Sequence, residues 1–140
     1  MFLADTNVLS ELRKAAAGRA NPGVVAWVEQ TEVDRIFVSP INLMELEIGI
    51  LRAERRDPDQ ARILRRWMAD QVVPTFRNRV LAFDEAVGIR CAALHVPDRR
   101  SDRDAMIAAT ALVHGLTVVT RNTRDFEATG VPLLNPWTAA

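Results

Sequence analysis

Short apolar runs alternate with helical segments along the whole chain, and this alternation is the feature that most restricts its fold. Most of the runs are continuously apolar, which is typical of strands that are buried on both faces of a parallel sheet. Five runs are predicted to be strands: Phe2–Ala4, Ile36–Val38, Val80–Phe83, Leu116–Val119 and Pro132–Leu134. Because parallel strands need crossover connections, the pattern predicts an α/β fold with three α/β/α layers and a central five-stranded parallel sheet.

Capping signals place helices between these strands. A polar capping residue followed by proline opens three of them, at Asn21, Ser39 and Asp57. Asp84 opens a fourth, and Ser101 or Asp102 opens a fifth that ends at a glycine. The predicted helices start at residue 22, run from 40 to about 55 and from 58 to about 70, and then cover 85–94 and 102–114.

Composition limits the classes to which the chain can belong. Its 140 residues are enough for one domain, residues 1–140, but not for two. The 18 basic residues equal the 18 acidic ones, which excludes a protein that binds nucleic acid through bulk positive charge. Cys91 is the only cysteine, so a disulfide within the chain is excluded. Without a signal peptide or a run of ~18 apolar residues, the chain is expected to be cytoplasmic, with no membrane partner.

Four acidic residues are predicted to converge at one edge of the sheet. Asp5 ends the first predicted strand, and Asp125 follows the fourth. Glu45 lies early in the helix after the second strand, while Asp104 lies early in the helix before the fourth. Ligands of open parallel sheets bind outside the carboxyl ends of the strands, which is where these four side chains are expected.

Ordinary structural roles explain some of these acids better than others. Asp5 would cap a helix that begins near residue 7, and Asp125 would form an Asx-turn. A favourable interaction with the helix dipole explains Asp102 better than Asp104, whose position points to the interior. The helix that carries Glu45 is apolar on nearly every side, and periodicity alone does not choose between Glu45 and Glu47.

Several carboxylates in one crevice repel one another unless a cation is bound. Mg²⁺ and Mn²⁺ prefer oxygen ligands, and Mg²⁺ keeps waters while also binding substrate phosphate. Such ions activate water and neutralise charge that develops on phosphorus. The four acids are therefore a candidate site for metal-dependent phosphoryl transfer.

Five sequence strings carry a family resemblance across the chain. They are DTNVLSE from Asp5, ELxxG from Glu45, DAMIAATA from Asp104, LTVVTRNTRDF from Leu116 and NPW from Asn135. In this order and spacing they resemble PIN-domain proteins, and within that family the VapC and FitB-like toxins of type II toxin–antitoxin pairs.

The resemblance implies a Mg²⁺-dependent ribonuclease whose acids are Asp5, Glu45, Asp104 and Asp125. It favours Glu45 over Glu47, because Glu45 is the acid four residues before the motif glycine. Either Asn122 or Asp125 fills the fourth position: close relatives often carry Asp where this chain has Asn122, and others carry it three residues later, where this chain has Asp125. Asp125 is favoured as the charged member. We expect direct metal contacts from Asp5 and Asp104, and completion of the site by Glu45 and Asp125. The side chains expected to orient these carboxylates are Thr6, Asn7, Thr120 and Asn122.

The expected partners are RNA, a cognate antitoxin whose C-terminal segment blocks the acidic pocket, and a second copy of the chain. Arg99, Arg100 and Arg103 precede Asp104 and are predicted to contact RNA phosphates. One alternative is a degenerate PIN fold that serves as a binding module in a DNA-binding repressor complex. A haloacid-dehalogenase-like phosphatase is a weaker alternative, because its motif needs a second aspartate where this chain has Asn7.

Overall fold

Four short parallel strands form the central sheet of the computed structural model, which describes residues 1–138. The strands are β1 (Phe2–Ala4), β2 (Ile36–Phe37), β3 (Thr117–Val119) and β4 (Leu133–Leu134). Their order across the sheet is β2-β1-β3-β4, so the first strand of the sequence is one of the two central ones. Leu3 in β1 pairs with Phe37 in β2 on one side and with Val118 in β3 on the other.

The predicted fifth strand, Val80–Phe83, is wrong as a strand. This segment makes a single parallel bridge, in which Val80 is the partner of Val38. Pairing cannot extend further because the chain turns into a helix at Ser39 and Pro40, and proline has no N–H to donate. Val80 and Phe83 are both about two-fifths exposed, as expected at the open edge of a sheet.

Seven α-helices in the described chain connect and cover the strands. The predicted start signals are present: Asn21, Ser39, Asp57 and Asp84 each accept backbone N–H groups at a helix start. The third predicted helix does not stop near residue 70 but continues through a π-helical turn, Met68–Val72, into a further short helix. The helices are α1 (Thr6–Leu12), α2 (Pro22–Gln30), α3 (Pro40–Arg56), α4 (Pro58–Trp67), α5 (Val73–Thr75), α6 (Glu85–Leu94) and α7 (Asp102–His114).

Both faces of the sheet are covered, which confirms the predicted three layers. Ala4 and Val119 pack on one side with buried residues of α1 and α2, including Trp27. Leu3 and Val118, their neighbours in sequence, pack on the other side with residues of α7. Successive strand residues point to opposite faces, so both sets must be apolar, and the continuous apolar runs result.

The helices of residues 1–138 include no candidate membrane span. None of them combines the length and the apolar character that are needed to cross a bilayer.

Candidate active site

Three of the four predicted acids line one open cleft at the carboxyl end of the sheet. Asp5 follows β1, Glu45 projects from α3 and Asp104 projects from the first turn of α7. The cleft has a volume of about 440 Å³. Asn122 lines it as well, whereas the exposed Asp125, in the 3₁₀ turn Thr123–Asp125, does not. The structure thus brings together acids that are about 40 and 60 residues apart in the chain.

Asp5 is buried and held in place by several donors. Its Oδ1 accepts the Thr6 backbone N–H at 2.8 Å, and its Oδ2 accepts the Thr120 hydroxyl at 2.8 Å. Asn7 Nδ2 lies 3.4 Å from the same Oδ2 and also donates to Thr120 Oγ1. Asp5 is also the capping residue of α1, so its helix-capping role and its place in the cleft are both present.

Thr120 connects the ends of β1 and β3. Besides donating to Asp5, its hydroxyl oxygen accepts the backbone N–H of Asn122 at 3.0 Å. It is completely buried, so these contacts fix its rotamer. Of the residues predicted to orient carboxylates, Thr120 and Asn7 contact Asp5 by their side chains, whereas Asn122 contacts Thr120 by its backbone.

Glu45 is oriented by a chain of buried hydrogen bonds that the sequence analysis missed in part. The Thr6 hydroxyl donates to Glu45 Oε1 at 2.8 Å. Asn42 Nδ2 donates to the Thr6 oxygen at 3.1 Å, while Asn42 Oδ1 accepts the backbone N–H of Ser39 at 2.9 Å. Asn42 is completely buried, and no local pattern in the sequence marks its role, because its partner Thr6 is 36 residues away.

Glu45 and Glu47 have different surroundings in the structure. Glu47 faces α4, where Arg65 makes a bidentate contact with both of its carboxylate oxygens at 2.5 and 2.8 Å. Hydrogen bonding by Arg65 lowers the pKa of Glu47. Glu47 is therefore engaged in joining two helices, and Glu45 is the acid of the cleft.

Burial and mutual repulsion raise the pKa of two carboxylic acids in the cleft. Burial raises the pKa of Asp5, and the charges of Glu45 and Asp125 raise it further, against the hydrogen bonds from Thr120 and Thr6. Burial also raises the pKa of Asp104 to about 6, with added repulsion from Asp5, Asp125 and Glu45. Asp125 thus acts electrostatically on the cleft from outside its lining.

A hard divalent cation suits this donor set. Within residues 1–138 no group of three or more acidic, histidine or cysteine side chains is placed to hold a metal ion by itself. Mg²⁺ does not need one, because it retains waters and commonly uses one or two carboxylates together with substrate phosphate. The donors are all oxygen atoms, and a bound dication would offset both the burial and the repulsion that raise the pKa of Asp104.

The arginines predicted to contact RNA lie beside the cleft or are paired within the protein. Arg103 Nη1 is 3.6 Å from Glu45 Oε2, at the rim of the cleft. Arg99 is exposed and pairs with Asp102 at 3.3 Å, and Arg100 is half-buried. The cleft lining instead includes Lys14 and Arg121, neither of which was singled out from the sequence.

Comparison with known proteins identifies the family. A family model described as PIN domain matches residues 2–132. The chain belongs to the PIN-domain family. This PIN domain is 36% identical over 145 residues to VapC ribonuclease Y4jK of Sinorhizobium fredii, with all of both chains aligned. It is 35% identical over 142 residues to toxin FitB of Neisseria gonorrhoeae, covering 98% of this chain and 99% of that one.

A solved structure extends the likeness to the fold. The crystal structure of FitAcB from Neisseria gonorrhoeae matches with a TM-score of 0.87 at 33% identity, covering 99% of this chain and 100% of that chain. The resemblance to VapC and FitB-like PIN domains is thereby confirmed, and so is the α/β fold class.

Proposed function

We propose that this PIN domain is a divalent-cation-dependent endoribonuclease and acts as the toxin of a toxin–antitoxin pair. Mg²⁺ is the expected ion, and Mn²⁺ is a substitute of similar chemistry. The observation that carries the proposal is that Asp5, Glu45 and Asp104, from three separate elements, line one cleft. This arrangement occurs in a chain that aligns from end to end with a relative named VapC ribonuclease.

The carboxylates would divide the work of holding the ion. Asp5 and Asp104 are its expected direct ligands, because both carboxylates line the cleft. Burial, with added repulsion from neighbouring acids, raises the pKa of both. Glu45 and Asp125 would add charge and complete the site. When bound, the ion would polarise the phosphodiester and acidify an attacking water.

The remaining side chains keep the carboxylates in position. Thr120 and Asn7 fix one oxygen of Asp5, and Thr6 fixes Oε1 of Glu45. Among residues 1–138, Glu45 Oε2 accepts no hydrogen bond and has only the long ion pair with Arg103 at 3.6 Å, so it is the oxygen placed to orient the attacking water or accept its proton. Because these groups are aligned before substrate binds, little reorganisation is required during the reaction.

The expected partners follow from the same assignment. RNA that is single-stranded or looped suits an open cleft better than a stiff duplex does. FitB is named a toxin, and we propose for this chain a cognate antitoxin whose segment covers the acidic cleft. A degenerate binding module is not favoured, because the acids of the cleft are present. A dehalogenase-like phosphatase is not favoured either, because Asn7 occupies its second aspartate position and donates to Asp5.

Induced expression tests the toxin assignment. Wild type is expected to arrest growth, whereas Asp104→Asn at the same protein level is not. Asp102→Asn is the matched control, because Asp102 is an exposed acid at the start of the same helix that pairs with Arg99. Growth arrest by Asp104→Asn equal to that of wild type would overturn the proposal.

A further inference from the structure

One wall of the carboxylate cleft carries positive charge and an aromatic ring. Lys14, Arg121 and Trp137 line the same cleft as Asp5 and Asp104. A cleft that cleaves a polyanion must bind phosphates on either side of the one that reacts, and its carboxylates cannot do this. The rest of the polyanionic substrate is therefore expected to lie along the cationic wall.

The backbone of Arg121 is fixed at the cleft by contacts with α1 and with the segment after β4. Its backbone N–H donates to Asn7 Oδ1 at 3.3 Å, and its carbonyl accepts Asn135 Nδ2 at 3.4 Å. Its guanidinium carbon lies 5.6 Å from the centre of the Trp137 ring. The Trp137 backbone N–H in turn donates to Asn135 Oδ1 at 3.0 Å, which ties the ring to the same network. The contact with the Trp137 ring reduces the side-chain entropy that Arg121 would lose when it binds a ligand.

Arg121 differs from the neighbouring cations in having no direct ion pair within residues 1–138, although Glu11, which lines the same cleft, interacts with it electrostatically. Lys14 pairs with Glu11 at 3.1 Å, Arg103 with Glu45 at 3.6 Å and Arg99 with Asp102 at 3.3 Å. Among residues 1–138, the ion pairs do not include Arg121. Its side chain is exposed, and its planar donors match the geometry of a phosphate.

We propose that Arg121 binds a phosphate of the RNA strand next to the one that is cleaved, and that Trp137 is a positioning residue that holds Arg121. The inference rests on the proposed ribonuclease function and deepens it. RNA is favoured over an acidic protein segment because Arg121 shares one cleft with the acids assigned to hydrolysis, so a strand that reaches Asp5 and Asp104 passes it.

Steady-state cleavage of a fluorogenic single-stranded RNA in Mg²⁺ tests the role of Arg121. Arg121→Gln is expected to raise KM by about ten-fold, the loss of one charge-assisted contact, while kcat stays within about two-fold. Because one phosphate contact is lost, the dependence of log KM on log salt should become shallower by about 0.7. Arg90→Gln is the matched control, since Arg90 is an exposed arginine on α6 that lines no part of this cleft.

Trp137 variants separate positioning from general damage to the fold. Trp137→Leu is expected to raise KM, but by less than Arg121→Gln does. Trp137→Phe is expected to have a KM close to that of wild type, because a phenyl ring still offers a face to the guanidinium. Trp137→Leu should add nothing to Arg121→Gln in the double variant, since both act through one contact. Additive effects of the two substitutions would contradict the positioning role.

The outcomes distinguish this inference from the function on which it rests. If wild type does not cleave RNA, the ribonuclease proposal fails. If wild type cleaves RNA and Arg121→Gln has an unchanged KM and salt dependence, only the present inference is overturned. It is overturned as well if Arg121→Gln cleaves normally but is no longer inhibited by a co-expressed antitoxin, because this wall would then bind protein.

Discussion

Glu45 and Glu47 lie two residues apart on α3 and have different partners. Thr6 orients Glu45 in the cleft, and Arg65 binds Glu47 at the contact with α4. We expect Glu45→Gln to lower the kcat of RNA cleavage by at least about 100-fold, the scale typical of a positioned acid or base. Glu47→Gln is the matched control, and its kcat should stay within about two-fold of wild type. A comparable loss of kcat in both variants would refute the distinction.

Asp104 gives the cleft a dependence of stability on pH. Its pKa is raised to about 6 in the folded protein, whereas an unfolded aspartate titrates near 3.9. The folded state then binds more protons between these values, so the free energy of unfolding falls as pH rises through this window. Without metal, Asp104→Asn should therefore have a higher Tm than wild type at pH 7.5, and the difference should shrink towards pH 4.

Thermal melts in EDTA between pH 4 and pH 8 check this expectation. Asp102→Asn is the control, because Asp102 is an exposed acid at the start of the same helix. Adding Mg²⁺ should raise the Tm of wild type more than that of Asp104→Asn, since a ligand stabilises only the state that binds it. A lower Tm for Asp104→Asn than for wild type at pH 7.5 in EDTA would contradict the raised pKa of Asp104.

The main acids of the cleft were predictable from sequence, and their supporting residues were only partly so. Asp5 and Asp104 stand at strand and helix ends, where topology alone predicts convergence. Asn42 and Arg121 were missed because their partners are distant in sequence: Asn42 contacts Thr6, 36 residues away, and the Arg121 backbone contacts Asn7, 114 residues away. Patterns of local periodicity carry no information about such contacts.

At the scale of elements, the start of α3 joins folding to the site. Asn42 closes a capping box with Ser39 and also donates to Thr6, which orients Glu45. Asn42→Ala should lower the free energy of unfolding by about 1–2 kcal/mol through the lost cap and also reduce kcat. Urea unfolding and cleavage assays measure the two effects.

The cap of α2 is the matched control for that variant. Asn21 accepts the backbone N–H groups of Gly23 and Val24 and is outside the cleft lining. Asn21→Ala should cost a similar free energy of unfolding and leave kcat unchanged. If Asn42→Ala retains full kcat, the link from the capping box to Glu45 is wrong.

Element types were predicted better than element ends. Proline-led caps place the starts of α2, α3 and α4 correctly, because a cap depends only on neighbouring residues. The fifth strand failed because its apolar run has just one possible partner residue, Val38, before proline begins α3. Strand pairing depends on how far the neighbouring strand extends, and the sequence of the apolar run does not contain this information.

At the scale of the whole molecule, several large apolar side chains remain exposed on a single copy of the chain. Ile89 and Val96 are 69% and 75% exposed, and Met44 and Leu51 on α3 are also exposed. We predict a homodimer, as the apolar helix that carries Glu45 suggested from sequence. Light scattering coupled to gel filtration should give twice the chain mass of 15.6 kDa. A single monomeric species at micromolar concentration would contradict this.

Cleavage of RNA by the purified protein with and without a divalent cation is the most direct test of the central claim. We predict that wild type cleaves single-stranded RNA in Mg²⁺, loses activity in EDTA and regains it when Mg²⁺ or Mn²⁺ is restored in excess. Asp104→Asn should be inactive under each condition while remaining folded. Cleavage that persists in EDTA, or that survives in Asp104→Asn, would contradict the account of a carboxylate cleft that works with a bound cation.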